Sequence, residues 1–145
     1  MLFRSKHIVD LFAAEKRFTL TTLFSPEHGI RGAEDSGVAS SRDEKTGLPI
    51  HSLYGRTQKP SAEMLKDVDV LVYDIQDIGA RFYTYITTLA HVMEAAKEND
   101  KLVVVLDRPN AIGGAAVEGP ILEDKLTGNF ANYFPIPTRH GMTVG

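Results

Sequence analysis

The stretch VDVLVYDIQDIGARFYTYITTLAHVMEAAKENDKLVVVL, residues 68–106, decides the fold class. Its opening, 68–75, is nearly all apolar through Tyr73, the pattern of a strand covered on both faces. Its end, LVVVL at 102–106, has the same character. Between them Phe82, Ile86, Leu89, Met93 and Ala96 recur at helical spacing, which predicts a helix over 82–99 with one apolar stripe. Strand, helix and strand in that order need a crossover connection, so the two strands are expected to pair in parallel.

Working outward, FTLTTLF at 18–24 has the β-branched and aromatic content of a strand, and LPIHSL at 48–53 reads as a shorter one behind the Thr46-Gly47 turn. A short amphipathic helix is expected within 1–17, with Ile8, Leu11 and Phe12 on one face. Another is expected from Pro60-Ser61 to about Lys66. The polar stretch 25–45 reads as a long loop, a length usually tied to function. Beyond Asp107 the chain turns rich in Pro and Gly with little periodicity. The class is α/β, an open doubly wound arrangement around a mainly parallel sheet.

The 145 residues carry 16 Lys+Arg against 19 Asp+Glu, a formal net charge of −3. That balance argues against a nucleic-acid partner, which needs a basic face. No apolar run reaches the roughly 20 residues of a membrane span. With no cysteine, disulfides, thiolate catalysis and Cys-ligated zinc are excluded. Residues 1–17 lack the apolar region and cleavage site of a signal peptide, which leaves the localisation open.

Each apolar strand is followed at once by polar residues: Glu27 and His28 after the first, Asp74, Gln76, Asp77 and Arg81 after the second, Asp107, Arg108 and Asn110 after the third. Ligands of open parallel sheets bind beyond the carboxyl ends of the strands, so these groups are expected to share one crevice. There is no Walker or G-x-G-x-x-G loop and no nucleophile elbow. Carboxylates, a histidine, arginines and aromatics suit glycoside hydrolysis, in which one carboxyl donates a proton to the leaving oxygen and a second group serves the anomeric centre. Tyr83 and Tyr85 offer flat surfaces for a sugar ring, and Arg81 or Arg108 a fork for a substrate carboxylate. Plainer readings exist for several of them. Asp77 also fits a helix N-cap, Asp107 and Arg108 an internal ion pair, and the two tyrosines packing; His91 is expected to be solvated.

The strings LFSPEHGIRG (23–32), TGLPIHSLYG (46–55), DVLVYDIQDIGARFYTYITTL (69–89), LDRPNAIGG (106–114), VEGPIL (117–122) and FPIPTRHGMTVG (134–145) together resemble one bacterial family, once a domain of unknown function and now known for NamZ-type exo-β-N-acetylmuramidases. Ala111 stands where that family has a second proline, and His51 where an aromatic is commoner. The resemblance implies a Rossmann-like catalytic domain over 1–145, without the family's first strand and its smaller C-terminal domain. It further implies release of terminal N-acetylmuramic acid from peptidoglycan fragments, with the missing remainder of the family's chain as a partner and export as a frequent location. No cofactor or metal is implied. Glu27 of the SPEHG string becomes the expected catalytic acid, grouped with His28 and Asp77. Asp74, Gln76, Arg81, Tyr83, Tyr85, Asp107, Arg108 and Asn110 become expected substrate contacts, and the resemblance alone adds Glu118 and His140. Two other readings stay open: a metal-dependent hydrolase drawing ligands from the same carboxylates and histidines, and a saccharide-binding fragment without turnover.

Overall fold

A computed structural model of the chain describes residues 2–3, 6–31 and 40–145. The α/β class holds, with small sheets that include parallel pairs, as in an incomplete Rossmann-like fold. The chain divides into two compact units, 1–69 and 70–145, each described by itself.

In the first unit, β1 (Leu2–Phe3) and β2 (Lys6–His7) pair antiparallel. The helix expected within 1–17 is confined to α1 (Ile8–Ala14), where the His7 imidazole accepts from the Val9 amide and caps the first turn. Val9, rather than Ile8, Leu11 or Phe12, is its fully buried residue. The strand expected over 18–24 shrinks to β3 (Leu23–Ser25). The polar stretch after it contains β4 (Ser41–Arg42), and its residues 32–39 lie outside the described set. The reading of 48–53 holds as β5 (Pro49–Ser52). β5 is central, parallel to β3 and antiparallel to β4. Leu23, Ile50 and Val9 form one core cluster with Ile8, Leu20, Ile30 and Leu48 against them, and Leu53, Leu65 and Val68 are buried as well. The helix expected after Pro60 is a run of turns. Bonds such as Leu65 N to Ser61 O (3.2 Å) and Val68 N to Leu65 O (3.1 Å) close single turns, too few to propagate a helix whose nucleation is unfavourable.

In the second unit, β6 (Val70–Tyr73), α2 (Tyr85–Glu98) and β7 (Leu102–Val105) form the expected parallel crossover. Asn99 caps α2, and Asp100 takes the left-handed conformation (φ 54°) that lets Lys101 N reach Ala96 O at 2.8 Å just before β7. The buried face of α2 is Thr87, Thr88, Leu89, Val92, Ala95 and Ala96. It is rotated from the predicted stripe, because Phe82 lies before the helix and Met93 is exposed. Only one face of the strand pair is covered: Leu71 and Tyr73 are buried, whereas Val70, Val72, Leu102 and Val104 are exposed. The unpatterned region after Asp107 is not structureless. It holds β8 (Glu118–Ile121) antiparallel to β9 (Pro137–Arg139), with a short 3-10 turn at Asp124–Leu126. Gly, Pro and a register irregularity mask its period. His91 packs against the rings of Tyr133 (5.2 Å) and Phe130 (6.1 Å) instead of facing water.

Candidate functional site

In the first unit the site begins where β3 ends. Ser25 pairs with Ser52 in the parallel ladder, and Leu53 N donates to Ser25 O at 2.8 Å, so the two strands leave the sheet side by side. Ser25 is wholly buried. Gly29 N closes a turn onto Pro26 O at 3.3 Å, with His28 (φ 68°) and Gly29 (φ 77°) both left-handed. For a non-glycine residue that conformation costs about 1–2 kcal/mol, so the surrounding structure must enforce it. The turn leaves His28 exposed and Glu27 half-buried. Glu27 accepts a hydrogen bond from the Tyr54 hydroxyl, and the negative charge beside that phenol raises its pKa above the ordinary value.

The segment after the turn is pinned by ion pairs. Arg31 grips Asp43 with two hydrogen bonds (Nε to Oδ1 2.7 Å, Nη2 to Oδ2 2.8 Å) and reaches Asp10 Oδ1 at 3.0 Å. Lys45 holds the other Asp10 oxygen. Asp43, buried, also accepts from Thr46 N (2.9 Å) and Thr46 Oγ1 (2.6 Å). The Arg31 bond, ahead of the Thr46 donors, holds its carboxyl well below the usual range. Arg31, Asp43 and Tyr54 were not among the residues picked from sequence. Arg31 and Tyr54 had only their membership of the SPEHGIR and SLYG strings as a signal, and Asp43 had none.

In the second unit the expected residues gather in part. Leu106 N donates to Tyr73 O at 2.9 Å, which brings the segments after β6 and β7 out together. Arg108 pairs with Asp74, not with Asp107 as an internal ion pair. Asp107 instead bonds Thr143 and the Gly145 amide (3.1 Å), and the Thr143 hydroxyl leads in lowering its pKa. Gln76 bridges Asp77 O (2.7 Å) and Pro109 O (3.2 Å). Asp77 is buried; its Oδ2 accepts from Gly79 N at 2.7 Å and lies 3.1 Å from His140 Nε2, off the line of a well-formed hydrogen bond. It therefore ties a turn, while Thr84 holds the N-cap position of α2. Asn110 donates to Met142 O at 2.8 Å. Gln76, Asp77, Arg108, Asn110 and the 142–144 segment border a shallow depression without enclosed room even for a water-sized sphere, so it does not by itself enclose a saccharide unit. Asp77 Oδ1, Asp74 Oδ2 and Arg108 Nη1 are buried without a hydrogen-bond partner.

The remaining expected contacts are engaged elsewhere. Arg81 spends Nη1 on the carbonyls of Ile136 (2.7 Å) and Pro120 (3.0 Å). Glu118 pairs with Arg139 at 2.6 Å. Tyr83 is exposed and stacks on Phe82 at 5.6 Å. Tyr85 opens α2, and its carbonyl accepts from the Tyr73 hydroxyl at 3.0 Å. Among the described residues no three His, Asp or Glu side chains group in a way that would hold a metal ion, and no helix is long and apolar enough to cross a membrane.

The chain is 56% identical over 142 residues to the peptidoglycan β-N-acetylmuramidase NamZ of Bacillus subtilis (strain 168), a match that covers 97% of this chain and 34% of that protein. Two crystal structures of DUF1343 family proteins from Bacteroides fragilis NCTC 9343 share its fold. One has a TM-score of 0.86 at 50% identity, over 94% of this chain and 34% of its own. The other has a TM-score of 0.82 at 42% identity, over 99% and 36%. The chain thus spans about a third of the length of these relatives. Residues 2–145 match the model of the N-terminal part of the exo-β-N-acetylmuramidase NamZ, and the chain belongs to that family.

Proposed function

We propose that this chain carries the proton-donating part of a glycosidase that removes terminal N-acetylmuramic acid from peptidoglycan fragments. Glu27 is the general acid. Its carboxyl proton passes to the glycosidic oxygen, the bond from that oxygen to the anomeric carbon breaks with the electron pair leaving on oxygen, and water completes the hydrolysis. The observation that supports this reading is the SPEHG turn. It presents Glu27 at the carboxyl end of a parallel strand, held by a strained backbone, in a chain so similar to a peptidoglycan β-N-acetylmuramidase.

In this reading His28, next to Glu27 in the same turn, assists catalysis, and Asp77 contributes by holding the turn at Gly79 in its own unit. Arg108, held by Asp74, brings positive charge to the surface that faces the substrate. Gln76, Asn110, Asp107 and His140 shape that surface, and Tyr83 offers an exposed ring. Arg81, Tyr85 and Glu118 act by holding the backbone and its neighbours. Parts of the longer relatives with no counterpart in this chain, which spans 34% of the Bacillus subtilis protein, contribute to the substrate site in this reading. The metal-dependent alternative lacks a donor cluster among the described residues to support it.

The test is hydrolysis of a chromogenic N-acetylmuramic acid β-glycoside by the chain, with and without chelator. Glu27→Gln is expected to lower turnover by about 10²–10⁴-fold, because an amide has no proton to give, and chelator to change nothing. Near-normal turnover in Glu27→Gln removes Glu27 from the mechanism. Binding of the glycoside with no released product favours the saccharide-binding reading.

A further inference from the structure

We infer that Tyr54 is the positioning residue of Glu27, its hydroxyl fixing the carboxyl group from the neighbouring strand; this rests on the reading of Glu27 as the acid. The register makes the pairing a property of the fold. Ser25 is the ladder partner of Ser52, so Glu27, two residues beyond Ser25, and Tyr54, two beyond Ser52, occupy equivalent places past the ends of adjacent parallel strands. Both places are fixed by local bonds. On the β3 side, the Pro26–Gly29 turn sets Glu27. On the β5 side, the Ser52 hydroxyl donates to Tyr54 O (3.0 Å) and accepts from Tyr54 N (3.2 Å), closing a tight loop before Gly55, itself left-handed at φ 114°. The phenol then meets the carboxylate.

A phenol donating to one carboxylate oxygen settles the rotamer of the glutamate and leaves its second oxygen to carry the transferable proton. As that proton moves to the glycosidic oxygen, negative charge grows on Glu27. A preoriented donor stabilises charge that develops in the transition state more than the neutral acid of the ground state. Tyr54 should therefore act on kcat rather than on KM.

Two measurements test this on the chain. The first labels tyrosine at Cζ and follows each phenol's titration by NMR, with Tyr54→Phe identifying the signal. Tyr54 is expected to titrate above the ordinary phenol range, and Glu27→Gln to move its midpoint down by removing the facing charge. The second is turnover of the chromogenic glycoside: Tyr54→Phe is expected to lower kcat about five- to tenfold, the weight of one hydrogen bond, with KM and the melting temperature little changed. A Tyr54 midpoint indifferent to Glu27→Gln overturns the pairing. Unchanged kcat in Tyr54→Phe, where Glu27→Gln shows its large loss of turnover, overturns the positioning role alone. Full turnover in Glu27→Gln overturns the acid assignment, while the titration still reports whether the two side chains are coupled.

Discussion

Replacing Arg31 by methionine keeps an apolar stem and removes the guanidinium that joins Asp43 to Asp10. Three hydrogen bonds to carboxylates disappear, at 2.7, 2.8 and 3.0 Å. A hydrogen bond to a charged group is worth about 1.5–3 kcal/mol, but the Arg31 side chain is 30% exposed, and water takes up part of the loss. Asp43 keeps its two bonds from Thr46, and Asp10 keeps Lys45. The net cost is expected to be about 2–4 kcal/mol at pH 7. Its pH dependence follows from Asp43. The folded-state pKa of that carboxyl lies below the unfolded one, so its contribution is fully present above the ordinary carboxylate range and is lost as pH falls through the folded value. The difference between the wild type and Arg31→Met should therefore shrink in acid. Urea denaturation followed by circular dichroism, with amide exchange at Thr46 and Gly47 as a local probe, measures both. A penalty under about 0.5 kcal/mol, or one independent of pH down to strong acid, would refute the account of this network.

Two further substitutions probe the second unit. Asp77→Ala strips the buried acceptor from Gly79 N and should cost about 1–3 kcal/mol in urea denaturation, whereas Asp77→Asn, which keeps an acceptor, should cost less. Gly79→Ala would set a Cβ 2.3 Å from Asn110 Oδ1 at φ +87°. Strain and displacement of Asn110 together predict a loss of about 1–3 kcal/mol and faster exchange at Ile112, whose amide donates to Asn110 Oδ1 at 3.0 Å.

The β6–α2–β7 crossover was legible because its period and length are both strong: two valine-rich strands and a helix of 14 residues. Which side of the helix is buried was not, since Thr87 and Thr88 are polar by type yet buried by place. The strand at 18–24 was overdrawn for a related reason. Its β-branched residues favour extended chain, but only Leu23–Ser25 find a partner to bond with, and propensity without pairing makes no sheet. For the candidate site, the rule for parallel sheets singled out the polar residues past the strand ends, and Glu27 does follow the end of β3. It could not find Tyr54 or Asp43, because their relevance comes from register and from an arginine contacted across a loop, neither of which has a signature in linear spacing. Arg81 shows the converse: its charge invited a substrate role, and the fold also uses its Nη1 to bond the carbonyls of Pro120 and Ile136, which linear spacing does not announce.

The water-facing valines and leucine of the β6–β7 pair carry a practical consequence. Two adjacent strands with bare aliphatic rows have the composition of segments that stick to one another, and α2 protects only their reverse side. Preparations should cloud with concentration well before they melt. A single lysine at Val72 or Val104 would keep samples clear for crystallisation or NMR while leaving the buried Leu71 and Tyr73 in place.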